Sequence, residues 1–136
     1  MNDSRAKTIR SYMKALGEGD YDGILGLFAE GGIVSSPFLG TMSAIDFFAQ
    51  LSRASEQNII TPMDVMVSDA DPTRGAGYFE YDWTMADGSK VVFNVVDLFT
   101  FDAAGERFTS MTILYDTHPV RAEHGNKYEQ LASGDA

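Results

Sequence analysis

From Asn58 to about Thr117 nearly every stretch between turns has strand character, and that run limits the chain more than any other feature. Ile59 to Val67 is the first strand, with Pro62 demoting part of it to an edge or a bulge because proline cannot donate to a ladder. Asp71-Pro72 turns the chain, and Gly77 to Met85 is the second strand. Asp87-Gly88 is a two-residue hairpin signal. Val91 to Phe101 is the third strand, apolar on both parities, so both of its faces should be covered. Ala103 to Gly105 turns again, and Phe108 to Tyr115 is the fourth. Successive strands joined by tight turns make an antiparallel meander.

The residues ahead of this run read as helix. Ile9, Tyr12, Met13 and Leu16 fall at helical spacing, with Asp3 or Ser4 as cap and Gly17 and Gly19 as stop. Asp20 caps a shorter helix with an apolar face of Ile24, Leu27 and Phe28, ended by Gly31-Gly32. Ile33 to Ser35 is a short extended piece, and Pro37 and Gly40 mark a loop. Ser43 with Asp46 resembles a capping box for a third helix, whose buried stripe would be Ile45, Phe48 and Leu51. Helices first and strands after predict an α+β domain: a cone-shaped, curved antiparallel sheet wrapped around three N-terminal helices. The space between sheet and helices is the natural pocket. Residues 1–118 are expected to form this single domain. Residues 119–136, His124 among them, form a polar C-terminal tail.

Composition narrows the function classes. At 136 residues, 44% of them hydrophobic, the chain is long enough for one real core. Its formal net charge of −10 repels phosphate backbones and anionic lipid, so neither nucleic acid nor a membrane surface is an expected partner. No cysteine is present, which excludes disulfides, thiolate nucleophiles and zinc-thiolate sites. Neither histidine has metal spacing with the other, so no metal and no cofactor is expected. Met1 to Arg5 lacks the apolar run of a signal peptide, no stretch reaches membrane-spanning length, and the cytoplasm is the expected compartment. The outer sheet face, with Val96, Leu98 and Ile113, is too apolar to leave wet, so a homodimer through it is expected.

Two segments carry a family resemblance. The stretch Tyr12-Met13-Lys14-Ala15-Leu16-Gly17-Glu18-Gly19-Asp20-Tyr21, continuing to Glu30, resembles the opening of ketosteroid isomerases. Val95-Val96-Asp97-Leu98-Phe99 and the turn to Gly105 resemble their third-strand hairpin. With Tyr115-Asp116, these features resemble the nuclear transport factor 2-like superfamily, which includes steroid isomerases, SnoaL-like polyketide cyclases, limonene-type epoxide hydrolases and non-catalytic binders. The resemblance spans roughly residues 5 to 118 and speaks to fold more than to reaction.

The resemblance implies roles. Tyr12 matches the isomerase tyrosine and Asp97 the neutral aspartic acid; both donate to a developing enolate oxygen. The residue before the family's proline is a proton-shuttling carboxylate, and here Ser36 stands before Pro37. A serine hydroxyl is a very weak base, so the usual shuttle is absent. Asp97 also lies on one parity with Phe93, Val95, Phe99 and Phe101, and such a face keeps a carboxyl protonated. Glu80 and Asp82 share the parity opposite to Tyr81 and Trp83, which is that of a half-exposed strand. Resemblance to the epoxide hydrolases nonetheless makes Asp82 and Asp116 the replacement bases to test. Ser36, Phe28, Trp83, Phe99 and Tyr115 are candidate substrate-binding residues, as is His118, a candidate base at the mouth of the cone. Three readings stay open: an isomerase-, cyclase- or hydratase-like enzyme acting on an apolar oxygen-bearing substrate, a binding module for a hydrophobic small molecule, and a scaffold.

Overall fold

In the computed structural model, which describes residues 3–119, the first helix begins where a short acid can cap it. The Asp3 carboxylate accepts from the Arg5 amide at 2.8 Å and starts α1 (Ser4–Glu18). The Arg5 guanidinium donates to the carbonyls of Ser68, Asp71 and Arg74, which ties the start of α1 to a turn of the sheet. The inner face of α1 buries Ile9, Tyr12, Met13, Ala15 and Leu16. Gly19 ends it in the left-handed region, φ 67°, where a side chain would be strained. Asp20 caps α2 (Tyr21–Leu25) by accepting from Gly23 N at 2.9 Å.

Here the structure departs from the periodicity. The second helix does not run on to Gly31; it stops at Leu25, and Phe28 opens the strand β1 (Phe28–Ser36). A helix of one turn has little stability of its own. The sheet takes the following residues instead: Phe108 N donates to Leu27 O at 2.9 Å. β1 turns back into β2 (Gly40–Ser43), and Ser43 Oγ, accepting from Asp46 N, caps α3 (Ala44–Ala54). The buried positions of α3 are Ala44, Phe47 and Phe48, with Leu51 partly covered; Ile45, expected inside, is 68% exposed. The helix is rotated so that Ala44 meets the core and Ile45 falls one residue off the stripe.

The remaining strands are β3 (Ser55–Val67), β4 (Arg74–Met85), β5 (Lys90–Phe101) and β6 (Phe108–Tyr115). The sheet has six strands in the order β2-β1-β6-β5-β4-β3. It is mixed rather than purely antiparallel, because β1 runs parallel to β6. The architecture is otherwise the expected α+β cone: three helices lie against a curved, unclosed sheet. Pro62 sits, as its chemistry requires, on the edge strand β3 and at a register shift before Asp64.

Parity along β5 decides what faces inward. Val91, Phe93, Val95, Asp97, Phe99 and Phe101 are buried, whereas Val92, Asn94 and Leu98 are exposed. The second apolar parity is therefore open in the single chain, not covered by its own helices. Ile113, expected on that outer face, points inward; its neighbour Leu114 is the exposed one. The rings of Tyr12, Phe28, Phe48, Phe99 and Phe108 pack into one cluster, with Phe99 stacked on Phe108 at 4.2 Å and Tyr12 edge-on to Phe99 at 5.3 Å. Asn58 is buried and hydrogen-bonded through both ends of its amide. Its amide donates to Leu16 O and Tyr21 Oη, and its Oδ1 accepts from Tyr81 Oη at 2.7 Å.

Gly77 lets α1 sit close to the sheet. It pairs with Asp97, and a Cβ there would lie 2.6 Å from Met13 Cε and 3.0 Å from Ile9 Cγ2. The Met13 end can swing aside, but the branched Ile9 cannot do so easily. Gly77→Ala is expected to lower stability by about 1–2 kcal/mol, the lower range for overpacking. Chemical denaturation of the two proteins checks this, and an unchanged midpoint would contradict the close approach.

Candidate active site

The cavity inside the cone has a volume of about 400 Å³, within the ordinary range for small-molecule sites. Helices α1 and α3 supply Tyr12, Leu16, Phe47 and Leu51; the sheet supplies Phe79, Tyr81, Trp83, Phe93, Val95 and Ile113. The walls are overwhelmingly apolar. Among the described residues, Asp97 is the one carboxyl group in the lining, and no histidine lines the cavity.

Asp97 is held by β5, between Gly77 on β4 and Ile113 on β6, and is 1% exposed. Its Oδ1 is buried and has no hydrogen-bond partner among the described residues. Desolvation pushes its pKa well above the ordinary carboxylate range; interaction with the Tyr12 hydroxyl acts the other way and is the smaller effect. That shift favours the neutral acid form, in which a carboxyl group can donate. Tyr12 is also buried, and its pKa is raised first by desolvation and then by the charge that Asp97 would carry if ionised.

Tyr115 is half-buried, and desolvation pushes its pKa up to about 12. Tyr81 is pushed further up, chiefly by burial, and its hydroxyl is already donated to Asn58. Trp83 faces the cavity while its Nε1 donates to Ser55 Oγ at 2.8 Å. Ser36 lines the cavity too, but its hydroxyl has a structural duty: it accepts from Leu39 N at 3.2 Å.

The structure therefore brings Tyr12, Asp97, Ser36, Trp83 and Tyr115 to one cavity. Phe28 and Phe99 lie in the ring cluster next to Tyr12 and do not line it. Asp82 does not reach the cavity. Tyr81 and Trp83 take the inner parity of β4, which leaves Asp82 on the outer face, 3.5 Å from Lys90 Nζ. Asp116 follows the last residue of β6, is exposed, and accepts from His118 N at 2.9 Å. His118 is exposed, and neither residue lines the cavity. His124 and the tail from 120 onward lie outside the described residues. Sequence reasoning missed Gln50, Phe47 and the pair Phe38 and Leu39. Phe47 and Leu51 are four apart on α3, a spacing that would have found this wall had the stripe not been started at Ile45.

Comparison with known proteins bears on the fold. The sequence pattern of the SnoaL-like domain matches residues 9–111. The chain belongs to the SnoaL-like domain family. Among solved structures, this SnoaL-like domain is similar to a nuclear transport factor 2-like protein of unknown function from Burkholderia pseudomallei, with 17% identity, a TM-score of 0.74, and coverage of 89% of this chain and 97% of that one. It is similar to a putative polyketide cyclase from Pseudomonas putida, with 18% identity, TM-score 0.74, and coverage of 88% and 96%. It is also similar to TerC, co-crystallised with polyporic acid, with 17% identity, TM-score 0.71, and coverage of 90% and 96%. At these identities the likeness is one of fold. A search of curated protein sequences finds no match. Among the described residues, no helix of the SnoaL-like domain is long and apolar enough to cross a membrane.

Proposed function

We propose that the cavity takes a largely apolar small molecule bearing a carbonyl or phenolic oxygen, and that neutral Asp97, with Tyr12, donates to that oxygen. One observation carries this reading: a fully buried carboxyl group whose Oδ1 has no hydrogen-bond partner among the described residues. A buried polar atom left unsatisfied costs about 1–3 kcal/mol. A ligand oxygen would remove that cost. An anionic ligand group is disfavoured, since among the described residues no cationic side chain lines the cavity.

Polarisation by two donors favours enolate formation, the step shared by isomerisation and cyclisation. With no second lining carboxylate among the described residues to remove a proton from carbon, the substrate should have an already acidic C–H, such as one between two carbonyls. That requirement favours cyclisation of a polycarbonyl compound over isomerisation of a simple ketone. The likeness to a putative polyketide cyclase and to a protein co-crystallised with polyporic acid supports the same chemical class. A second reading, a binding module without turnover, draws on the same missing base. Titration with 2-naphthol, read by quenching of Trp83, the chain's one tryptophan, tests what both share. Saturable quenching that is lost in Asp97→Leu is expected; quenching equal in the two proteins would overturn the site.

The outer sheet face bears on assembly. Val92, Leu98 and Leu114 are each exposed there, and we propose that a second copy covers them. Sedimentation at micromolar concentration should give a dimer, and Leu98→Glu should shift it to monomer. A monomeric parent would contradict the proposal.

A further inference from the structure

The turn joining β1 to β2 carries two large apolar side chains where a hairpin tip usually carries polar ones. Phe38 is 46% exposed and Leu39 47%, yet both line the cavity. The turn is well fixed. Ser36 pairs with Gly40, Ser36 Oγ accepts from Leu39 N, and Gly40 adopts φ 70°. The Phe38 ring lies 6.5 Å from the ring of Tyr115, at the end of the neighbouring strand β6. The residue that stands in place of the isomerase carboxylate is therefore a turn cap, and the turn it caps holds an apolar rim at the cavity mouth.

We infer that Phe38 and Leu39 form a selectivity rim that covers the far end of an elongated ligand whose oxygen-bearing end lies at Asp97. The inference rests on the proposed reading of the pocket and adds the shape of the ligand: polar at one end, apolar at the other, long enough to reach the mouth. Apolar surface left wet loses about 25 cal/mol per Å² relative to burial. A short ligand would leave Phe38 and Leu39 in water. A long one would cover them, and the energy of that contact would appear only in the affinity of the long ligand.

Two probes with one head group separate these cases. 2-Naphthol is the phenolic half of equilenin, and equilenin extends it by two further rings with apolar faces; its one other oxygen, the ketone on the last ring, would lie past the rim in water. Both are titrated into the parent, into the Phe38→Ala/Leu39→Ala variant and into Asp97→Leu. The rim predicts that the double variant loses about tenfold more affinity for equilenin than for 2-naphthol. It also predicts that equilenin slows hydrogen exchange at the tip amides of the parent and 2-naphthol does not. Retained 2-naphthol binding in the double variant shows that its fold is intact. Equal losses for the two probes would overturn the rim and leave the Asp97 site standing. If neither probe binds the parent, or both bind Asp97→Leu as well as the parent, the pocket reading fails and the rim fails with it.

Discussion

Ser36→Asp is expected to give this protein weak isomerisation of a β,γ-unsaturated steroid ketone, about 10²–10⁴ above the parent, the usual value of a positioned general base. Ser36 already lines the cavity. The residue before a proline is pushed toward extended backbone, and Ser36 lies at the extended end of β1. Asp is at home at the first position of a turn, so the new carboxylate can accept from Leu39 N as the hydroxyl does now. That hydrogen bond lowers its basicity, which places the gain in the lower part of the range. Repulsion from a second carboxylate would keep Asp97 protonated. Steady-state rates on both proteins decide the matter. Substantial turnover by the parent would mean that a base other than Ser36 already operates. No turnover by Ser36→Asp, with 2-naphthol still bound, would mean that the cavity presents the carbon too far from this position, and the binding-module reading would lead.

Replacing Asp97 should split by chemistry rather than by size. Asp97→Leu removes the donor and should weaken 2-naphthol by about fivefold to a hundredfold, the cost of roughly 1–3 kcal/mol for leaving the ligand oxygen buried without a partner. Asp97→Asn keeps an N–H donor and should retain most of the affinity. The same pair reports on stability. The Asp97 pKa is raised in the folded protein, so the native state holds a proton that the unfolded chain releases above about pH 4. Stability contributed at this position therefore falls as pH rises from there to the folded pKa and is constant above it. Asparagine does not titrate. The melting temperature of Asp97→Asn should gain on the parent as pH rises, by about 2–8 °C for each kcal/mol removed. A gap independent of pH would mean that Asp97 is ionised in the native protein.

How far the residues foretold this arrangement depends on the range of the interactions involved. Local chemistry was legible: the Asp3, Asp20 and Ser43 caps, the Gly88 hairpin and the Pro62 edge all follow from one or two residues and their neighbours. Parity on β5 likewise placed Asp97 inside, and parity on β4 placed Asp82 outside before the resemblance drew it back in. What was not legible is non-local. β1 exists because β6 pairs with it in parallel across most of the chain length, and nothing between Phe28 and Ser36 announces that partner. The rotation of α3 that exposes Ile45 is set by the packing of Phe47 against Phe48 and the core, at 5.0 Å between rings. Phe38 and Leu39 read as loop because a turn tip has no periodicity to reveal which side it faces.

Whether Asp97 is a neutral donor at the end of a ligand cavity can be read from its carboxyl carbon resonance. With aspartate labelled with ¹³C at the carboxyl and Asp97→Asn used to assign the signal, the resonance should keep its carboxylic-acid position well above the ordinary aspartate range of about pH 4, and it should move when 2-naphthol is added. A resonance that titrates within that ordinary range, and that is unmoved by 2-naphthol, would show an ionised Asp97 that touches no ligand.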